Sequence, residues 1–359
     1  MPDVVKLTIG GTTYSGWESV SIESALDTMA DAFSMSGPFD PSRAEMVSAF
    51  KPFGYQNVKL EIDDQLLLTG RIESVSPSTS ESDRAINVQG RSLTGSLIDC
   101  QIDGQGYSFA GMSLKSIATK LAKPFGINVS STAGIGPVKA KASAPTTTAD
   151  AAKPLDESRA DPGQAVGDYL QSIAKPSGLL LTATETGDLL IMRPSASGAP
   201  VAALIEGIGH VKSVSASYNG TGRWSNYRVL QQQDGKTNIT GKATDQAIKI
   251  YRPKVVTGSD GDAKSATKSA EMQRALSFAE SIQVSVQVTG WRPGNGKPVW
   301  TPGQVVTLKA PGAFIMRETV FIIRRRTLTL DASEGRTSTL DLVLPSTYSG
   351  TMPGSYPWE

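Results

Sequence analysis

The sequence predicts a β-dominated α+β fold, with two similar antiparallel β sections flanking an α/β insert in a chain of 359 residues. Three observations carry this. Apolar and polar residues alternate with period two toward both ends, which sends one face of each strand to a core and the other outward. Helical spacing is confined to the middle and to one late segment. Gly (35) and Pro (21) are plentiful and Ser and Thr abundant, as many short strands joined by turns require.

The first β section spans residues 1–98. Val5-Lys-Leu-Thr-Ile9, Trp17-Glu-Ser-Val-Ser-Ile22, Val58-Lys-Leu-Glu-Ile62, Leu66 to Val75 and Ala85 to Gln89 alternate, and Asp63-Asp64 makes a hairpin turn. Between them, Met29 to Lys51 is rich in Met, Phe, Pro and Ser and reads as a long excursion from the sheet, a candidate contact arm. At the end of the section, Val88-Gln-Gly-Arg-Ser-Leu-Thr-Gly-Ser-Leu-Ile-Asp-Cys100 spaces Gly90, Gly95 and Ser96 almost as a phosphate-binding loop would. That chemistry needs a Lys after the second Gly and then a hydroxyl; Ser96 and Leu97 stand there instead, so no nucleotide site is expected. The stretch reads as a strand handing over to a short helix from near Ser92 that carries Leu93, Leu97 and Ile98 inward.

The α/β section, 99–208, holds a duplicated unit. Leu114, Ile117, Ala118 and Leu121 fall at helical spacing before Pro124 and Gly126, and Gln164 to Leu179 repeats the design. Leu121-Ala-Lys-Pro-Phe-Gly-Ile127 aligns without a gap on Ile173-Ala-Lys-Pro-Ser-Gly-Leu179. The second unit ends in a hairpin, Leu179 to Thr184 and Asp188 to Met192. The stretch 130–162, dominated by Ala, Ser, Thr, Lys, Pro and Gly, has too few large apolar residues to offset the entropy of ordering, so a mobile loop is expected.

The last section, 209–345, returns to strands: Val211 to Tyr218, Arg223 to Gln231, Ile282 to Gly290, Gln304 to Lys309, Glu318 to Leu330 and Thr337 to Leu344. A charged amphipathic helix is expected over Asp262 to Ser281, and 234–281 reads as an insertion that could pack with the middle section. Residues 346–359 form a tail.

A net charge of +1 gives no bulk grip on nucleic acid or an anionic membrane. The single cysteine, Cys100, excludes an intramolecular disulfide or a multi-cysteine zinc site and reads as a small core residue. The start of the chain lacks a secretory pattern and no segment has the apolar length to span a bilayer, so no membrane anchor and folding in the cytoplasm are expected.

Four features could carry chemistry. His210 is the only histidine; with no second histidine and no nucleophile motif beside it, a structural role is expected. Asp63, Asp64, Asp103, Glu206, Glu318 and Asp331 could supply a hydrolase pair, but most fall in expected turns, where acids serve solubility. Arg324-Arg-Arg326 lies within a strand, so Arg324 and Arg326 should share one face and Arg325 the other, either solvated or meeting an acidic partner or a nucleic-acid backbone, the last without the interleaved aromatics that such binding uses. Trp291 and Trp300 flank a Gly/Pro turn; exposed tryptophans beside turns can stack on sugars. A cell-wall hydrolase and a carbohydrate-binding module therefore stand as rivals to a purely structural role.

Three stretches are similar to a known family. Val88 to Cys100 resembles its strand-Gly-Arg-Ser run closing on Leu/Ile-Asp-Cys; Tyr169-Leu-Gln-Ser-Ile-Ala174 with Gly178 and Gly187-Asp-Leu-Leu-Ile-Met-Arg193 resembles its middle. Arg274 to Glu280, Val286-Gln-Val-Thr-Gly-Trp291, Trp300-Thr-Pro-Gly303 and Leu340 to Pro345 resemble its end. Their order over nearly the whole chain resembles the baseplate hub proteins of contractile-tailed, Mu-type bacteriophages, and more distantly the hub part of type VI secretion spike proteins.

The resemblance implies a virion protein of the tail baseplate, assembled in the host cytoplasm, with no catalytic residue, cofactor or metal. It implies a homotrimer in which each chain gives two tube-like antiparallel β-barrel domains, so that three chains make a pseudo-sixfold ring. The partners would be the tail spike protein, the tail tube protein or a tube adaptor, and other baseplate proteins, with DNA passing non-specifically through the lumen. Candidate interface residues are Phe33, Met35 and Phe39 on the arm, Trp291 and Trp300 beside the turn, and Arg324 and Arg326 on the late strand.

Overall fold

The computed structural model describes residues 3–81, 83–104, 107–132, 159–194, 198–233, 237–257 and 262–359. The chain begins with β1 (Val5–Ile9), β2 (Thr12–Tyr14), β3 (Ser19–Ala25), β4 (Ala32–Pro38), α1 (Ala44–Ala49), β5 (Asn57–Ile62), β6 (Gln65–Thr79) and β7 (Arg84–Ser92). The middle holds α2 (Gly95–Asp99), α3 (Leu114–Ala122), β8 (Val129–Ser131), α4 (Val166–Ala174), β9 (Leu180–Ala183) and β10 (Leu189–Met192). Then follow β11 (Ala203–Ile205), β12 (Val211–Tyr218), β13 (Asn226–Gln233), β14 (Thr237–Thr244), β15 (Pro253–Thr257) and α5 (Ala263–Glu280). The chain closes with β16 (Ile282–Thr289), β17 (Val305–Ala310), β18 (Ile315–Asp331), β19 (Gly335–Val343) and α6 (Ser346–Ser349).

Both β sections belong to one sheet of thirteen strands, ordered β12-β16-β19-β18-β3-β4-β7-β6-β5-β1-β2, with β17 beside the first half of β18 and β11 beyond it. The sheet is open. No closed barrel forms among the described residues, so the barrel expected for each section is not a property of the single chain.

The two sections follow the same path. The first runs β3-β4-β7-β6-β5-β1 and the second β12-β16-β19-β18-β17-β11, strand for strand. They differ at the last pair, antiparallel for β1 with β5 and parallel for β11 with β17. Even irregularities recur: β6 bulges against β7 between Ile72 and Ser74, and β18 bulges against β19 between Ile323 and Arg325. Each long strand therefore bends at one corresponding point, and β-bulges add the local twist that bends a sheet.

Alternation builds these strands as expected. Val20 and Ile22, Phe33 and Met35, and Ile86 and Val88 point into one core, which also takes Leu7, Leu60 and Ile62. A second core under the later strands holds Val284, Val286, Leu308, Phe321, Leu340 and Leu342. The stretch read as an excursion, Met29 to Lys51, is sheet in its first part and leaves the sheet only after it. Ala32–Pro38 is β4, paired on one side with β3 and on the other with β7, because its Phe-Ser-Met-Ser alternation outweighs the Gly-Pro that ends it. Only 39–56 leaves the sheet, carrying α1.

In the middle, α3 and α4 each run into a short 3-10 turn and stop at a left-handed glycine, Gly126 (φ 71°) and Gly178 (φ 64°). Ser113 caps α3, its Oγ accepting from the Ser116 N–H at 3.1 Å. Leu114, Ile117, Tyr169, Leu170, Leu189 and Ile191 join in a third core against the sheet β8-β10-β9. Leu97 enters that core but Ile98, expected inward, is exposed, since α2 has only one turn and one inward face. Cys100 is half-buried at its end. Most of the stretch read as a mobile loop, 133–158, lies outside the described residues.

The late insertion forms its own layer. β14-β13-β15 make a small sheet covered by α5, whose Asp262 cap accepts from the Ser265 N–H at 2.7 Å. α5 packs on β13 and β14 and reaches β16 and α6, so it extends the second β section rather than the middle section. Beyond α6 the tail folds back, with Met352, Tyr356 and Trp358 against the second core. No helix among the described residues is long and apolar enough to cross a membrane.

Candidate functional site

The two β sections meet where β3 pairs with the second half of β18, in register from Val20 opposite Leu330 to Ala25 opposite Arg325. The sequence permits this because β18 is seventeen residues long, more than β17 can cover; the remainder is an edge that β3 fills. The joint is a continuous core. Leu328 is fully buried among residues of the first section, and Trp291 and Val299 from the β16–β17 loop enter the same cluster. Trp291 Nε1 donates to the Thr329 carbonyl at 3.0 Å.

Ion pairs rim the joint. Arg325 meets Glu23 at 3.2 Å, Arg324 Nε donates to Asp27 at 2.8 Å, and Arg292 reaches Asp3 at 3.0 Å and Asp63 at 3.1 Å. These pairs are partly exposed, so they fix register more than they add stability.

Beneath them lies a buried polar group. Arg326 is 3% exposed, donating to the Trp300 carbonyl and, at 3.1 Å, to Ser24 Oγ. Burial lowers its pKa to about 10, while neighbouring Asp31 supports its charge. Burial pushes the Asp31 carboxyl up to about 7, and Arg326 pulls it back. The arrangement locks the joint; it presents no group to a substrate.

The candidate residues are thus redistributed. Phe33 and Met35 are core residues of β4, Phe39 is half-buried against the same core, and Trp291 and Trp300 are 1% and 0% exposed. Neither tryptophan is available to stack on a sugar. Arg324 and Arg326 do not share a face, because the bulge after Ile323 shifts the alternation: Arg324 is exposed and Arg326 buried. His210 lies against Trp300, ring centres 6.1 Å apart. Asp63 and Asp64 sit in the hairpin turn, Asp63 accepting from the Val4 N–H at 2.9 Å. Asp331 caps its own turn and Glu206 accepts from the Gly312 N–H at 2.8 Å.

What the residue-type search missed is the outer face of the sheet. Along β3, β4, β7, β16 and β19 the residues between core positions include Ser19, Ser21, Ser34, Ser36, Asn87, Gln89, Ser285, Gln287 and Thr339, with Glu23, Arg91 and Asp341 as the charged members. They pair across strands: Ser19 with Ser36 at 2.5 Å, Asn87 with Ser34 at 3.4 Å, and Ser285 with Asp341 at 2.9 Å. Charges there are neutralised locally, as where Arg91 holds Glu73 through two bonds of 2.7 and 2.9 Å and also meets Asp99. Along these five strands the outward face is made mostly of small polar residues. The signal was the Ser at every second position of strands such as Ser19-Val-Ser-Ile22.

Residues 4–92 match the family described as Mu phage baseplate assembly protein GpP-like, N-terminal, and residues 94–146 the second domain of baseplate hub protein gp44-like. Baseplate hub protein gp44 of Escherichia phage Mu is 26% identical over 348 residues, covering 93% of this chain and 86% of that protein. The crystal structure of the 43 kDa tail protein of prophage MuSo2 from Shewanella oneidensis superposes with a TM-score of 0.78 at 26% identity, over 98% of this chain and all of that one. An Escherichia coli type VI secretion component, described as similar to the phage T4 tail proteins gp27 and gp5, shares the fold at TM-score 0.54 and 10% identity, over 98% of this chain and 78% of that one. The duplicated strand path and the sealed joint stand beside these matches: the chain is similar, over most of its length, to the Mu-type baseplate hub proteins of phage tails, which are structural proteins.

Proposed function

We propose that three copies of the chain form a ring of six similar β modules, 1–98 and 209–345 from each, which joins a sixfold tail tube to a threefold central spike. The observation that carries this reading is the identical strand order of the two sections, already joined edge to edge at β3 and β18. Repeating that joint between chains would complete the barrel that the single chain leaves open, and closure removes the exposed strand edges that otherwise invite aggregation. The middle section, 99–208, and the insertion of β13–β15 with α5 would then stand outside the ring, toward other baseplate proteins.

The polar face supports the assignment of the lumen. DNA passing through a channel must not be held, and held it would be by unpaired Lys and Arg releasing counterions from the phosphates, or by aromatic platforms stacking on bases. Ser, Thr, Asn and Gln with locally paired charges give neither grip. Native mass measurement of the purified chain, alone and with a tail spike protein, tests the reading. A particle of three chains that takes up one spike trimer is expected; single chains under both conditions would refute it.

A further inference from the structure

The two β sections close one corresponding strand edge differently. Against β7 and β19 the bulges put Ile72 on Ile323; against β5 and β17 a second pair of bulges, after Leu60 and after Leu308, puts Thr69 on Val320. In the first section the ladder of β6 with β7 runs to Gly70 opposite Ser92, and the Leu93 N–H then donates to the Thr69 carbonyl at 3.2 Å. Gly187 (φ 85°), at the tip of the β9–β10 hairpin, closes over that carbonyl; a Cβ there would lie 2.8 Å from it and 3.0 Å from Leu93. Backbone and turn together cover this edge.

In the second section the ladder of β18 with β19 ends one pair earlier, at Ile322 opposite Val343. Pro345 takes the position of Leu93 and starts the same turn, its carbonyl accepting from the Tyr348 N–H at 3.1 Å as the Leu93 carbonyl accepts from Ser96 at 3.2 Å. Proline has no N–H, so the bond to the Val320 carbonyl is not made. The Met316 N–H donates to the Pro357 carbonyl at 2.9 Å, so by alternation Glu318 and Val320 turn their backbone groups to the same side. They face a cavity of about 320 Å3, walled by α6 and by residues 351–355 of the tail. The hydroxyls record the same difference. Ser92 and Thr94 are buried and bond each other at 2.8 Å. Leu344 stands in place of Ser92, so Ser346, on the position of Thr94 and 5% exposed, is left beside the cavity with an Oγ that has no partner. A buried hydroxyl is costly to leave unbonded.

We propose that the cavity beside Glu318 and Val320 is a docking slot for the glycine turn of a β-hairpin from another tail protein, which donates a backbone N–H to the Val320 carbonyl and covers the edge as Gly187 covers Thr69. Adding backbone to an open strand edge is a general mode of recognition between proteins. Residues 351–355 wall the slot without filling it. The chain's own tip, Glu185-Thr-Gly187, is already seated on the first section, so a second copy has none free. Charge narrows the choice of partner. Arg317 lines the slot, donates to the Tyr356 carbonyl at 3.0 Å and makes no ion pair among the described residues. Glu318, the next residue, turns its side chain to the other face of the strand. The complement is an acidic turn, such as the one in which Glu185 and Asp188 stand beside Gly187. The slot belongs to each copy and is complete without the ring.

The probe is a peptide of residues 180–192, which hold this tip, cyclised through a disulfide between added terminal cysteines; the readout is hydrogen exchange of the full chain by mass spectrometry. Without peptide the amides of 318–320 are expected to exchange freely. With it they become protected, while those around Leu93 do not change. A peptide carrying Gly187→Val, whose side chain would strike the carbonyl, is expected to bind about tenfold more weakly, and Arg317→Glu in the chain to weaken the unaltered peptide to a similar degree. Pro345→Leu restores the missing N–H; the edge is then expected to be protected without peptide and the peptide no longer to bind. No protection at 318–320, equal binding of the Gly187→Val peptide, or undiminished binding to the Pro345→Leu chain overturns the slot. Amides of 318–320 already protected in the unbound, unaltered particle would put a neighbouring copy there and overturn the proposed partner. None of these outcomes changes the number of chains in the particle, so the ring stands or falls separately.

Discussion

Trp291 and Trp300 fill the space between the β16–β17 loop and the sheet, and their burial decides what they do. Truncating a buried aromatic residue removes its transfer energy and leaves a cavity, so Trp291→Ala is expected to lower stability by about 3–5 kcal/mol in a denaturant titration. Tryptophan fluorescence of the unaltered protein is expected not to respond to soluble oligosaccharides. Asp31 makes a different prediction. Its folded pKa of about 7 lies above the unfolded value of 3.8, so the folded state binds the proton more tightly. Its contribution is complete below the unfolded value and is lost as pH rises through the folded one. Melting temperature is therefore expected to fall between about pH 4 and 7 through this group, and Asp31→Asn to flatten that slope. At this scale the sequence was a partial guide. Arg324 and Arg326 were visible as a cluster, but the bulge that separates them is a property of strand pairing and leaves no local mark. The tryptophans beside a Gly/Pro turn looked exposed because turns usually are, and nothing local told that the turn folds over a core.

The elements were more legible than their endings or partners. Alternation found most strands of both β sections, and Ile-Ala-Lys-Pro-Ser-Gly repeating Leu-Ala-Lys-Pro-Phe-Gly marked two helices with the same stop. Gly126 and Gly178 have open space around the Cβ position, so Gly126→Ala or Gly178→Ala costs only the left-handed backbone, about 1–2 kcal/mol in thermal unfolding. Gly70→Ala is expected to cost more than either. Its Cβ would lie 2.0 Å from the Arg91 carbonyl, and neither strand can yield without breaking the β6–β7 ladder. β4 was missed because its short alternation ends in Gly-Pro and is crowded by Ser and Met, which weakened the periodic signal. The length of β18 was visible, but its division between β17 and β3 was not. That depends on residues about three hundred positions apart, and period alone shows only which face is buried.

At the scale of the molecule, one strand path is used twice and joined to itself. Leu328, which helps to seal the internal joint, corresponds in the repeated strand path to Pro77, where the surface is open. In the proposed assembly the second of the two equivalent joints is made between copies, and closed symmetry is the usual way such heterologous contacts end. In the proposed ring the polar face would line the central opening. The alternating Ser and Thr of this face are legible in the sequence, but period alone does not distinguish a lumen from any other solvent side of a strand. The decisive observation is the end-on electron-microscopy average of the purified particle. Six like lobes around a central opening, repeating by thirds, are expected; a particle of one chain, or a ring built from any number of copies other than three, would contradict the duplication as a means of matching sixfold to threefold symmetry.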